Sequence, residues 1–175
     1  MQIGSNGNII FKFPNTFVQF MLALPNTPDT TFHICSRVGP SHEAHIRSTI
    51  ETAFQKPLPE DYFQIPLLAC IHTSDYRGVA LLRKVGRWTY LDKLAVVDQG
   101  RGIGTYLLSL SMRMSTIWGY EAIFWRSREE RTAWYLRLPG ISAARFPQWT
   151  ICWSGHLDAS GLETAAEYAH SMPVL

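Results

Sequence analysis

The chain has 175 residues, of which 46% are hydrophobic and 13% aromatic, and only 17% are charged, against roughly 25% in an average soluble domain. That length and composition suit one domain with a real core and exclude a disordered tail, a collagen-like chain and a coiled coil. A formal net charge of +2 is too small to make nucleic acid or an anionic membrane the main partner, and no apolar run approaches the roughly 20 residues that span a bilayer.

Residues 1–40 read as an N-terminal lead-in, punctuated by Pro14, Pro25, Pro28, Gly39 and Pro40. Within it, Asn8–Phe13 is compatible with a strand and Phe17–Leu24 with a short apolar turn or helix. Lys12 is the only charge before Phe20, so a secretory signal is not expected, and arginine is absent until Arg37, which argues against a presequence. The three cysteines, Cys35, Cys70 and Cys152, form no CxxC pair and no disulfide framework, which points to a reducing compartment. The expectation is the cytoplasm, with the mitochondrial matrix as the alternative. The cysteines are expected to be buried apolar residues.

From Ser41 the pattern sharpens, and residues 41–175 read as one domain. Ser41 is a candidate cap, and Ile46, Ile50 and Phe54 follow at helical spacing until Lys56-Pro57 ends the helix. Leu67–His72, Tyr76–Leu82 and Trp88–Val97 read as three strands of an antiparallel meander, with Gly86 in a turn. The period then changes: Ile103, Leu107, Leu110 and Met114 mark a helix that Gly119 stops. Ala122–Ser127 is a strand, Arg131–Leu136 a short helix, Pro139-Gly140 a turn and Trp149–Trp153 a last strand. Leu162–His170 carries a weak helical pattern. The fold class is α/β (α+β), with a mostly antiparallel mixed sheet, flanking helices and a strand–glycine loop–helix unit near the centre.

The loop Gln99-Gly100-Arg101-Gly102-Ile103-Gly104 presents backbone N–H groups at a helix N-terminus, where phosphate or pyrophosphate is held without side chains. Its alternating glycines do not match the dinucleotide fingerprint, and Gly104-Thr105 lacks the lysine of a Walker loop. A tight turn that binds nothing is the plain alternative. The pattern Gln-x-x-Gly-x-Gly resembles the pyrophosphate loop of the Gcn5-related N-acetyltransferase superfamily. That resemblance implies acetyl-coenzyme A as co-substrate and a pantetheine arm along Leu94-Ala95-Val96.

A narrower resemblance rests on Tyr90-Leu91-Asp92-Lys93, the glycine loop, Phe124-Trp125-Arg126-Ser127-Arg128, Trp134-Tyr135 and Trp149–Trp153, in that order. With the stretch from His45 to Leu82, these are similar to the acetyltransferase domain of the N-acetylglutamate synthase family. The resemblance implies transfer of acetyl to the α-amino group of L-glutamate, at the entry to arginine biosynthesis. Many members of the family carry a kinase-like domain before this one, for which 175 residues are expected to leave no room. A homo-oligomer or association with a separate kinase-like chain is open. The chain departs from the family in a shorter turn at Val97–Gln99, in Leu94 where phenylalanine is frequent, and in a short Glu129–Ala133 loop without the usual asparagines. These departures bear on the acceptor pocket, so another amino acid or small amine is the alternative acceptor. A non-catalytic coenzyme A-binding regulatory domain is a third reading.

Arg126 and Arg128 lie two apart on a strand, hence on one face, where a dicarboxylate could sit between two guanidinium forks. A solvated strand edge, or ion pairs with Glu129, Glu130 or Asp92, would explain them equally. The resemblance implies that both arginines and Lys56 bind the acceptor, and that Tyr135 gives a proton to the leaving thiolate. His42 and His45 share a helical face as i, i+3. No third ligand stands near them in the sequence, so no metal is expected.

Overall fold

The computed structural model describes residues 18–22 and 30–175. The Asn8–Phe13 strand expectation lies outside them. The chain divides into two compact units, Met1–Arg83 with Lys93–Leu110 and Leu175, and Lys84–Asp92 with Ser111–Val174.

In the first unit, β1 (Val18–Leu22), β2 (Thr30–Cys35), β3 (Ala69–Thr73) and β4 (Gly78–Val85) follow one another as antiparallel neighbours. The later part of β5 (Trp88–Val96) continues that order beyond β4. Two expectations change here. The apolar stretch at Phe17–Leu24 is a strand over Val18–Leu22 rather than a turn or helix, because Val18–Leu22 finds a ladder on β2. Thr30–Cys35, assigned by sequence to the lead-in, is likewise a strand, paired on both edges.

Helix α1 (Pro40–Phe54) starts two residues earlier than expected, with Pro40 in its first turn and Gly39 rather than Ser41 as its cap. It ends at Gln55, which takes a left-handed backbone (φ 55°). Ile46 and Ile50 are fully buried and pack with Cys35, Cys70, Val79, Leu81 and Ala95, so α1 covers the sheet face that carries those residues. Arg47 sits between Glu43 and Glu51 on the outer side of α1 and donates to the carbonyls of Leu58 and Pro59, which pins the loop behind the helix.

In the second unit, the start of β5 pairs in parallel with β6 (Ala122–Ser127), in the register Trp88–Ala122 to Tyr90–Phe124. β6 pairs antiparallel along its whole length with β8 (Thr150–Gly155), and β8 with β7 (Ser142–Arg145). Helix α2 (Ile103–Ile117) runs from the first unit into the second and ends before Gly119, whose φ is 83°. Helices α3 (Glu129–Leu136) and α4 (Ala159–Ser171) complete this unit. The sequence pattern missed β7. Its Ser-Ala-Ala-Arg run has little strand propensity, and it is a strand because β8 supplies a partner. All three cysteines are free and buried, as expected.

Candidate active site

The turn after β5 is held by its flanks and open at its tip. Val97 N–H donates to Arg77 O at 2.9 Å, and Asp98 pairs with Arg101 at 3.2 Å and Arg77 at 3.5 Å. Gly100 (φ 89°) and Gly102 (φ 76°) take left-handed conformations that other residues adopt only with strain, and a Cβ at either would meet nothing within 4 Å. Gln99, Gly100, Arg101 and Gly102 are exposed. Ile103 then turns inward, and the helix's first bond of this turn is Tyr106 N–H to Gly102 O at 3.1 Å. The N–H groups of Ile103, Gly104 and Thr105 precede that first bond, at the helix N-terminus where backbone dipoles favour an anion. Gly104 has no left-handed backbone; it is part of the helix. The geometry fits an anion such as a pyrophosphate.

Leu94, Ala95 and Val96 lead into this turn. Ala95 is buried in the core under α1, while Leu94 and Val96 alternate to the other face and are half-buried. The parallel ladder between β5 and β6 ends at Tyr90–Phe124, well before β5 itself ends. Gly78 on β4 matters here and is missed by motif reading: a Cβ on it would sit 2.6 Å from Ile103 and 2.9 Å from Leu107. The small residue lets the start of α2 seat closely on the strand. A lone glycine within a strand pattern is the signal that could have found it.

In the second unit, β6 carries Arg126, and α3 with its cap carries Tyr135 and Arg128. Arg126 points its guanidinium at the end of α4, donating to Ala169 O at 2.8 Å and Pro173 O at 3.1 Å, and stacks over the Trp149 ring at 4.6 Å. Arg128 is exposed and caps α3 in an extended conformation (φ −72°, ψ 149°), so the strand's alternation continues to it. The Glu129–Ala133 loop of the sequence reading is in fact the first turns of α3. Tyr135, on that helix, is in ring contact with Trp125 at 5.3 Å and Trp134 at 4.8 Å. Burial pushes its phenol up to about 12, with the buried Cys152 adding to the rise and Arg131 opposing it. Beside it, Trp125 is 1% exposed and its indole N–H has no hydrogen-bond partner among the described residues. Lys56, in the first unit, is exposed just past the left-handed end of α1. A shallow cavity at the start of β6, lined by Met112, Thr116, Tyr120, Ile123 and Gly155, includes none of the predicted site residues.

Arg126 and Arg128 thus differ in energetic role. Removing Arg126 leaves two carbonyls at the end of α4 without a charged donor, at a cost of about 1.5–3 kcal/mol. Arg126→Ala should lower the unfolding free energy read from urea denaturation by that amount, and Arg128→Ala by less than about 1 kcal/mol.

No family model matches the chain. The acetylglutamate kinase of Xylella fastidiosa (strain Temecula1) is 34% identical over 116 residues, covering 63% of this chain and 26% of that protein. The chain therefore spans about a quarter of the length of the curated relatives it matches. Among solved structures, the N-acetylglutamate synthase of Neisseria gonorrhoeae, complexed with coenzyme A and N-acetyl-glutamate, superposes with a TM-score of 0.56 at 16% identity, covering 71% of this chain and 35% of that one. The PaiA N-acetyltransferase of Thermoplasma acidophilum, in complex with coenzyme A, gives a TM-score of 0.52 at 12% identity over 71% of this chain and 99% of that one. The fold is that of the Gcn5-related N-acetyltransferases, a mixed α/β architecture with a mostly antiparallel sheet flanked by helices.

Proposed function

We propose that this chain carries an acetyl-coenzyme A-dependent N-acetyltransferase domain that acts on the α-amino group of L-glutamate, in arginine biosynthesis. The observation that carries the reading is the β5–loop–α2 unit, with two left-handed glycines leading into a helix N-terminus. Support for the acceptor comes from the structural likeness to an N-acetylglutamate synthase and from the sequence likeness to a segment of acetylglutamate kinases.

Bound acetyl-coenzyme A supplies an acyl thioester to an attacking amine. The backbone of Gln99, Gly100, Arg101, Gly102, Ile103 and Gly104 holds the pyrophosphate, and the Arg101 side chain adds positive charge at the loop. The strand edge at Leu94–Val96 aligns the pantetheine arm, and a backbone N–H there polarises the thioester carbonyl. Tyr135 holds its proton for the leaving thiolate. Arg126, Arg128 and Lys56 take the acceptor's carboxylates. Direct transfer needs no enzyme nucleophile, which accords with cysteines that are buried and, at Cys35 and Cys152, pushed up to about 11 by burial. The cytoplasm is the proposed compartment, and a homo-oligomer or a kinase-like partner chain the proposed assembly. Among the described residues, no helix is long and apolar enough to cross a membrane.

One observation favours a different acceptor. The short Glu129–Ala133 segment lacks the asparagines usual in the resembling family and is helical here, which supports another amino acid or small amine as acceptor. A screen of the purified protein with acetyl-coenzyme A and a panel of amino acids, read by thiol release, separates these readings. Glutamate should be fastest; thiol release chiefly with another amine would identify a differently specific domain, and no thiol release with any acceptor a non-catalytic one.

The loop itself has a direct test. A side chain at Gly102 meets open space but must hold a left-handed backbone (φ 76°), so Gly102→Val should lose about 1–3 kcal/mol of stability, remain folded, and block the ligand's approach. Losing charge-assisted contacts worth about 1.5–3 kcal/mol weakens acetyl-coenzyme A by roughly 10- to 150-fold in calorimetry. Unchanged affinity would place the co-substrate elsewhere.

A further inference from the structure

The face of β2 and β3 beneath α1 holds an unusual set of groups. The register pairs Cys35 with Cys70 and His33 with His72, so all four side chains project from the same face. The first turns of α1 bring His42 over them. One ligand atom each from Cys35, His42 and His72 lies within 4.8 Å of the other two. Cys35 and His72 are buried, at 4% and 2% exposure, and His42 is half-buried.

The hydrogen bonds orient these groups as a metal site would need. His72 Nδ1 meets Thr73 O at 2.8 Å. A carbonyl can only accept, so the proton is on Nδ1 and the Nε2 lone pair faces Cys35 Sγ, 3.5 Å away. Tetrahedral zinc with bonds of about 2.3 Å to sulfur and 2.0–2.1 Å to nitrogen would place those atoms about 3.6 Å apart. The Tyr76 hydroxyl holds His42 Nδ1 at 2.6 Å, and the Tyr76 ring stacks on His72 at 4.4 Å and on His45 at 4.7 Å. Tyr76 does this from a left-handed backbone (φ 57°), fixed by Tyr76 N–H to Thr73 O and by Thr49 Oγ1 to Tyr76 O. A bulky residue holds that conformation only where its surroundings over-determine it.

We propose that Cys35, His42 and His72 bind one zinc ion, with water in the fourth position, and that the ion fastens α1 to β2 and β3. One thiolate and two imidazoles suit zinc and are poor ligands for magnesium or calcium. Burial lowers the pKa of His72 and His33 from the ordinary histidine value, with neighbouring histidines adding to the effect and the bond to Thr73 O opposing it at His72. Burial pushes the Cys35 thiol up to about 11, so the metal must displace its proton: the S–H bond breaks, a Zn–S bond forms, and one proton leaves to solvent. The groups facing this thiol from neighbouring elements are Cys70 and His72 of β3, His42 of α1 and Tyr76 of the turn after β3. This inference is independent of the acetyl-transfer reading.

The test uses the full chain, freed of metal by a chelator and titrated with zinc in competition with a chromophoric chelator. The expected result is one tightly held equivalent per chain, about one proton released on calorimetry across buffers of different ionisation enthalpy, and a raised thermal midpoint. Cobalt in place of zinc should give the intense visible bands of a tetrahedral site and a near-ultraviolet thiolate band. Cys35→Ser and His72→Gln should each weaken zinc by about 100-fold or more, exceeding what loss of an outer partner costs. His42→Gln, at a half-buried helix position that tolerates change, should do the same in a protein of unaltered circular dichroism. His45→Gln and Cys152→Ser should bind as wild type. No stoichiometric zinc, a cobalt spectrum without the thiolate band, or wild-type affinity in His42→Gln and Cys35→Ser would overturn the proposal.

Discussion

Tyr135→Phe should lower turnover by about 10²-fold while leaving acetyl-coenzyme A affinity nearly unchanged. General acid catalysis is worth about 10²–10⁴-fold, and the lower end is expected for a physical reason. The Tyr135 phenol is pushed up to about 12, above the roughly 8.5 of an ordinary thiol. Complete transfer of its proton to a thiolate therefore runs uphill. What the phenol supplies most readily is a charge-assisted hydrogen bond to the departing sulfur while keeping its own proton; the nitrogen protonated by attack on the carbonyl gives up the one proton that balances the thiolate. The same shift fixes the pH behaviour. The acid form is required, so its contribution persists across neutral and moderately alkaline pH and is lost only as pH approaches 12. The folded protein holds this proton more tightly than the unfolded chain, so the stability it contributes is complete below about 10 and disappears as pH rises from about 10 to 12. Stopped-flow or steady-state thiol release, with coenzyme A binding measured separately, checks the prediction. A loss under about threefold would leave Tyr135 as a packing partner of Trp125 and Trp134.

Glutamate should be preferred over glutamine by roughly 10- to 150-fold in kcat/KM, because glutamine is nearly isosteric and lacks one charge-assisted pair worth about 1.5–3 kcal/mol. One arginine of the Arg126–Arg128 pair holds the α-carboxylate; the other, with Lys56, holds the γ-carboxylate. Replacing the γ partner should erode the preference for glutamate, and replacing the α partner should weaken every amino acid alike. Arg126 already gives two N–H groups to Ala169 and Pro173, yet a guanidinium carries five donors, so it retains capacity for a carboxylate. Its alanine variant must be assayed well below its reduced denaturation midpoint. Initial rates for glutamate, glutamine and aspartate with wild type, Arg126→Ala, Arg128→Ala and Lys56→Ala decide the point. Equal use of glutamine, or full activity in both arginine variants, would transfer the role to another amine.

Much of the fold was legible because it is written in local signals. The helix at Ile103–Ile117 shows in a 3.6-residue apolar period and a glycine stop, and β6 matches its expected range, Ala122–Ser127, because its apolar run is framed by turn residues. The glycine loop was legible for the same reason: left-handed backbone at Gly100 and Gly102 is a local demand that glycine meets. What the sequence did not disclose depends on partners remote in the chain. β7 and β1 are strands because β8 and β2 offer ladders. Arg126 looks like an open ligand in sequence, but the end of α4 occupies part of it. His42 pairs naturally with His45 by helical spacing, yet its companions are Cys35 and His72. Cys35 and His72 stand 37 positions apart, and the register of β2 on β3 puts them on one face for α1 to cover. Local conformation follows from each residue's own sterics and hydrogen-bonding, and so it was readable one segment at a time. The meeting of Cys35, His42 and His72 follows from strand register and helix packing, and only the folded chain decides those.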